Sequence, residues 1–322
     1  MLRRVAVPFI LLAAVATPSR AQTLADARTC ERAITGSAAD RVALQRMVTA
    51  APSKATGHFA AGCQHVITAK WDSAAIRFNA AASANPGSSA TQLWLGNING
   101  QLARIGDAAT KGRLAPVIRA AYTRAITLDG GNVDAREGLM QHLLEVPASL
   151  GGDKGKAQEQ ALAIGKVNPF RGIGAQLSVA SSRGDKAAVE KLLVLATTQF
   201  PDSLLGWANL SAVQADAQRA SESFATIARW QARRTHAMFA LFSLGRTAAV
   251  TGQQLERGEQ ALKQYLRGQR GPQDPPFANA NYRLGQIYER QKRVADARAA
   301  YQLALNANPR MRDAQVALDR VK

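Results

Sequence analysis

His58, Cys63 and His65 are metal-ligating residue types gathered within eight positions. On a helix, His58 and His65 would share a face about 10 Å apart, too far to grip one ion. Cys63 and His65, two apart, would diverge, so the cluster predicts packing rather than a metal site. Gly151 to Lys156 (GGDKGK) looks superficially like a phosphate-cradling loop. Its first glycine is one position late, Ala157 stands where a Mg²⁺-binding hydroxyl is needed, and no strand pattern precedes it. His142 and Glu145, three apart on a helix, could exchange a proton, but nothing in the sequence supplies a nucleophile beside them. There is no G-x-S-x-G elbow, no H-E-x-x-H pair and no paired C-x-x-C. The chain is therefore expected not to be an enzyme and to need neither cofactor nor metal.

Two other groups bear on binding and covalent linkage. Cys30 and Cys63 are the two cysteines of the chain. In an oxidising compartment they invite a disulfide; elsewhere they would be two small buried thiols. Arg229, Trp230, Arg233, Arg234 and His236 form a basic and aromatic cluster in which Arg229 and Arg233 share a helix face. It reads either as a patch for an anionic ligand or as basic residues at a helix C-terminus with Trp230 in the core.

The N-terminus carries a targeting pattern. Arg3 and Arg4 precede an apolar run from Val5 to Ala16, and Ser19-Arg20-Ala21 places small residues at the −3 and −1 positions of a cleavage site. Residues 1–21 are expected to be a cleavable signal peptide, which makes the mature chain, from Gln22, exported and either periplasmic or secreted. No apolar run reaches the roughly 18 residues of a membrane span, so no span is expected in the mature chain. The formal net charge is +18; without the arginines of the leader, 38 basic residues face 23 acidic ones, a net +15. That excess suits an anionic partner such as an envelope polymer, or simply solvated helix faces. Nucleic acid is not an expected partner.

These residues must be positioned by something repetitive. Gly62, Ala74, Phe78, Ala81 and Pro86 follow one another at intervals of 12, 4, 3 and 5, and Gly285, Ala297, Tyr301, Ala304 and Pro309 repeat all four intervals. Each set reads as a helical hairpin. Glycine lets the first helix approach closely, a small residue does the same on the second, an aromatic fills the space beside them, and proline ends the pair. The composition agrees: 47% hydrophobic but 6% aromatic suits many close-packed helix pairs rather than a few large-residue cores. One hairpin cannot bury its apolar face alone, so the hairpins must stack.

This spacing resembles the tetratricopeptide repeat family, whose unit is about 34 residues of helix-turn-helix. The resemblance implies an all-α solenoid that binds a protein or peptide partner rather than turning over a substrate. Residues 22–54 read as a degenerate N-terminal hairpin and 55–322 as the repeat solenoid, closed by a C-terminal capping helix from Arg312. The third hairpin carries ten extra residues, roughly Ile105 to Leu114, which an extended basic loop or a pair of lengthened helices would both accommodate. The layout is drawn with long loops near 105–114 and 147–156. In the family, partner contacts come from the first helix of each hairpin, on the concave face. Carried onto this chain, those slots hold Asn97, Gln101, His142, Arg246, Tyr282, Gln286 and Arg290. The family's clamp for a chaperone tail needs Lys and Asn where Phe59 and Cys63 stand, so that ligand is not expected. The partner-binding groove is thus the leading function, with binding of an anionic envelope polymer, or service as a non-catalytic subunit of an envelope enzyme, as alternatives.

Overall fold

The computed structural model describes residues 23–321, and side chains from Arg28 onward. The expected leader, 1–21, lies outside the described residues. Among these there are 17 α-helices and no strand. The first eight are α1 (Thr23–Ile34), α2 (Ala38–Ala50), α3 (Ala55–Ile67), α4 (Trp71–Ala84), α5 (Ser89–Ile105), α6 (Ala108–Leu128), α7 (Val133–Glu145) and α8 (Lys154–Val167). The remainder are α9 (Pro169–Arg183), α10 (Lys186–Gln199), α11 (Leu204–Asp216), α12 (Ala220–Ala232), α13 (Ala237–Thr251), α14 (Leu255–Arg267), α15 (Phe277–Arg290), α16 (Val294–Ala307) and α17 (Arg312–Arg320). Two compact units divide at Gln160 and Ala161, within α8. Each is an all-α stack of helix pairs, the solenoid architecture expected from the spacing.

Short polar side chains start many of these helices. Ser37, Ser88, Asp107, Asn132, Asn168, Asp185 and Ser203 each accept a hydrogen bond from a backbone N–H in the first turn that follows. This satisfies donors that the helix itself leaves open. Three turns between paired helices share another feature. Ala69, Gln218 and Lys292 each sit at the middle of a three-residue connection with φ of 54°, 61° and 61°. A left-handed residue there reverses the chain tightly, and none of the three is glycine.

In unit 1, α1 to α6 share one apolar interior. Leu44, Phe59, Cys63, Phe78 and Trp94 belong to a single buried cluster, so the first hairpin is part of this core. Phe78 meets Phe59 edge-on with ring centres 5.3 Å apart and stacks on Trp94 at 5.5 Å. A Cβ at Gly62 would stand 2.9 Å from the Phe78 ring. The glycine therefore makes room for the aromatic of its own hairpin. Arg32 reaches across from α1 to Asp40 of α2 at 2.7 Å, and this hydrogen bond holds the Asp40 carboxyl down at about 2.

The expected loop near 105–114 is not a loop. α5 runs to Ile105 and α6 begins at Ala108, so the extra residues lengthen the two helices and leave a tight turn at Gly106 and Asp107. Asp107 starts α6 by accepting from Thr110 N–H at 2.8 Å, and Leu114 and Ala115 already face the interior. Local capping and burial together favour helix over loop. Between α7 and α8, by contrast, the chain is irregular apart from one 3₁₀ turn at Ala148–Leu150, and Gly151 there has φ of 93°.

In unit 2 the same packing rule recurs. A Cβ at Gly285 would run into the Tyr301 ring and one at Gly245 into Leu262, while Gly172 lies directly against the Gly165 backbone. Tyr265, Tyr301 and Trp230 are fully buried. The first helices of successive hairpins, α11, α13 and α15, pack side by side. That layer positions the candidate site.

Candidate functional site

The helical period divides α15 into two faces. Leu284, Gly285 and Tyr288 are buried in the hairpin core, whereas Tyr282, Arg283 and Gln286 are only partly covered. α13 does the same, burying Leu244 and Gly245 and leaving Arg246 half-buried. Along the open face lie two separate polar links. Arg246 donates to both carboxylate oxygens of Asp216, at the end of α11, at 2.8 Å. Arg283 donates to Gln286 Oε1 at 2.8 Å, and Gln286 Nε2 donates to the Tyr282 hydroxyl at 3.0 Å. The Arg283 guanidinium also lies 5.2 Å from the Tyr282 ring centre. Burial lowers the Arg283 pKa, and the neighbouring Arg246 charge lowers it further.

Between α11 and α13 this face opens into a cavity of about 170 Å³. Phe239 and Phe242 form its apolar wall, Asn209, Ser211 and Ser243 supply polar groups, and Arg246 stands at its edge. A shallow depression of about 720 Å³ lies instead between α16 and α17, lined by Gln302, Leu305, Asn306, Pro309, Gln315 and Leu318. No charged side chain lines it, so it offers little specificity.

The other residues expected in the groove fare differently. Arg290 donates to the carbonyls of Ala249 and Val250 at 2.9 Å each, satisfying the last turn of α13. Its role is to hold two helices together. In unit 1, Asn97 is exposed and accepts from the Tyr122 hydroxyl at 2.9 Å, with Gln101 half-buried one turn further along α5. His142 does not belong to an open face. It is buried, its ring bonds the Ala115 carbonyl, and its Nε2 is sealed without a partner. The lengthened α6 runs past that level and covers it. Burial, then the nearby Arg119 charge, pushes the His142 pKa down.

Cys30 of α1 and Cys63 of α3 form a disulfide, with Cα atoms 5.6 Å apart. Among the described residues no three His, Cys, Asp or Glu side chains gather as metal ligands. The fold divides the Arg229–His236 cluster, with Arg233 and His236 both turned to Asp202. Trp230 is fully buried beside Phe239, Arg233 lies 3.6 Å from Asp202, and Arg229 bonds Thr226 at 3.3 Å. Arg283 and Asp216 were not anticipated. Arg283 lies two positions before Gly285, outside the slots carried over from the family; its i,i+3 spacing to Gln286 was the available signal.

Comparison with known proteins bears on this arrangement. Residues 278–311, which span α15 and α16, match the tetratricopeptide repeat family. That hairpin is similar to a tetratricopeptide repeat. Its open first-helix face carries Tyr282, Arg283 and Gln286. Among solved structures, the chain is similar to a tetratricopeptide repeat protein from Parabacteroides merdae, with 14% identity and a TM-score of 0.53, over 83% of this chain and 98% of that one. It is also similar to yeast Tom70, with 10% identity and a TM-score of 0.58, over 97% of this chain and 66% of that one. At such identities the likeness concerns the fold alone: stacked repeat-type hairpins. No curated protein matches the sequence significantly.

Proposed function

We propose that this protein is an exported, non-enzymatic scaffold that holds a protein or peptide partner on the first-helix face of its repeats. The observation that carries the reading is the open face of α11, α13 and α15. There Tyr282, Arg283 and Gln286 are ordered by one another, and Arg246 by Asp216, rather than used up in the core. A face already ordered before binding loses little side-chain freedom when a partner docks. Export is supported by the Arg3–Ala21 pattern and by a disulfide between the two cysteines, which is at home in an oxidising space.

The test is capture from an envelope extract by the chain starting at Gln22, followed by mass spectrometry. A protein partner should remain bound at about 0.3 M salt, where exposed charges more than about 6 Å apart are screened. It should be lost when Arg246, Tyr282 and Gln286 are replaced together. Retention that vanishes at moderate salt, ignores those substitutions and falls on neutralising Arg229, Arg233 and Arg234 would instead identify an anionic polymer as the ligand.

A further inference from the structure

On the strength of that reading, we propose that the α11–α13–α15 face recognises an acidic segment, with a carboxylate of the partner seated between Arg246 and Arg283 and an apolar side chain beside it in the cavity walled by Phe239 and Phe242. Charge and shape both support this. Arg283 is drawn into the face with a neutral amide as its one protein acceptor among the described residues. A guanidinium presents five donors in a planar fork that matches a carboxylate. Arg283 is only partly covered, so part of it faces the open side. Asp216 already engages Arg246 through both oxygens, and the fields of Asp216 and of Asp313, at the start of α17, also reach Arg283. Two guanidinium groups thus share a site where one carboxylate is engaged. Arg246 keeps 19% of its side-chain surface and Asp216 59%, so the pair opens to a competing carboxylate. The cavity of about 170 Å³ is close to the roughly 150 Å³ that accommodates a benzene-sized group.

The test uses a random peptide library displayed on phage, panned against the chain from Gln22. Selected peptides should be enriched in Asp or Glu next to a bulky apolar residue. Replacing that acid by its amide, or making Arg283→Gln, should weaken binding by about tenfold or more, as expected for breaking a charged hydrogen-bonded pair. Arg283→Lys, which keeps the charge, should retain more affinity than Arg283→Gln, and melting curves show whether each variant is folded. Asp216→Asn supplies a readout that a merely structural role would not move, because removing the internal competitor should tighten acidic peptides. Peptides that lack acids, an empty selection, or unchanged or weaker binding in Asp216→Asn would overturn the proposal. Non-acidic peptides lost on replacing Tyr282 and Gln286 would leave the scaffold reading standing, whereas peptides indifferent to every face substitution would remove both.

Discussion

Gly285→Ala adds one methyl group, and the structure makes its effect unusual. In an open helix interior, Gly→Ala stabilises by about 1 kcal/mol, because alanine is the better helix former. At Gly285 the new Cβ runs into the Tyr301 ring. That ring is fully buried, and its hydroxyl donates to Glu289 at 2.7 Å. Glu289 is itself gripped by Arg320 through two contacts of 2.8 Å. The ring cannot swing aside without breaking this chain, so overpacking of about 1–3 kcal/mol should offset or exceed the propensity gain. Gly174, in α9 of the same unit, is the control, since a Cβ there meets nothing within 4 Å. Identical substitutions at the two sites should therefore differ by about 1–3 kcal/mol. Repeat stacks can open in parts, so the assay is native-state hydrogen exchange of α15 and α16 amides beside a urea melt. Gly285→Ala should speed exchange in that hairpin, and adding Tyr301→Leu should restore part of the loss. If Gly285→Ala stabilises as much as Gly174→Ala, the glycine–aromatic contact is not what sets the packing.

His142 is buried with a lowered pKa, so folding favours its neutral form. Its contribution is complete above the unfolded value near 6.5 and is lost as pH falls below it. Melting temperature between pH 7.5 and 5 should drop less in His142→Gln than in wild type, and an equal drop would remove His142 as the cause. Reducing the Cys30–Cys63 bridge, or replacing both cysteines by serine, should destabilise unit 1 by about 3–4 kcal/mol, given its sequence separation of 33. A melt unaffected by dithiothreitol would contradict this. Replacing Ala69, Gln218 or Lys292 by glycine relieves left-handed strain of roughly 1–2 kcal/mol and adds about 0.5–1 kcal/mol of unfolded-state entropy. The net should be a stabilisation of up to about 1 kcal/mol at each site by urea titration; a loss at all three would mean these turns are unstrained.

The fold was legible where one residue type has one structural use. Glycine against an aromatic, alanine on the second helix and proline after the last turn are steric requirements, so their spacing survives in the sequence. The count of ten extra residues near Ile105 was equally plain, but a count does not say what conformation they adopt. Helix prevailed because Asp107 caps it and Leu114, Ala115 and Ile118 find burial, while Pro116 falls on the exposed side. The left-handed turns at Ala69, Gln218 and Lys292 were invisible because those residues carry no turn signature. At the site, fixed slots located Arg246, Tyr282 and Gln286 on a shared open face but could not see which side chains were already taken. Arg290 is used by the α13 carbonyls and His142 by Ala115, and Arg283 escaped because its slot was not among those carried over.

α15 shows how one helix can serve stability and recognition without conflict. Its buried residues, Leu284, Gly285 and Tyr288, are constrained by Tyr301 and the next helix, and change there is felt as lost packing. Its open residues, Tyr282, Arg283 and Gln286, bond mainly to one another, so change there alters the surface while leaving the hairpin its core. The two sets alternate along the sequence but separate in space because the period is 3.6 residues. Substitutions on the open face can therefore be read as binding effects once melting is shown to be unchanged, whereas the same reading at Arg290 would fail. Arg290 sits on the same helix with an exposed side chain, yet it bridges α15 to the last carbonyls of α13, so losing it shifts the spacing of the two helices that frame the Arg246–Arg283 pair. Exposure alone does not mark a contact residue here; what decides is whether the donors are already engaged by the neighbouring repeat.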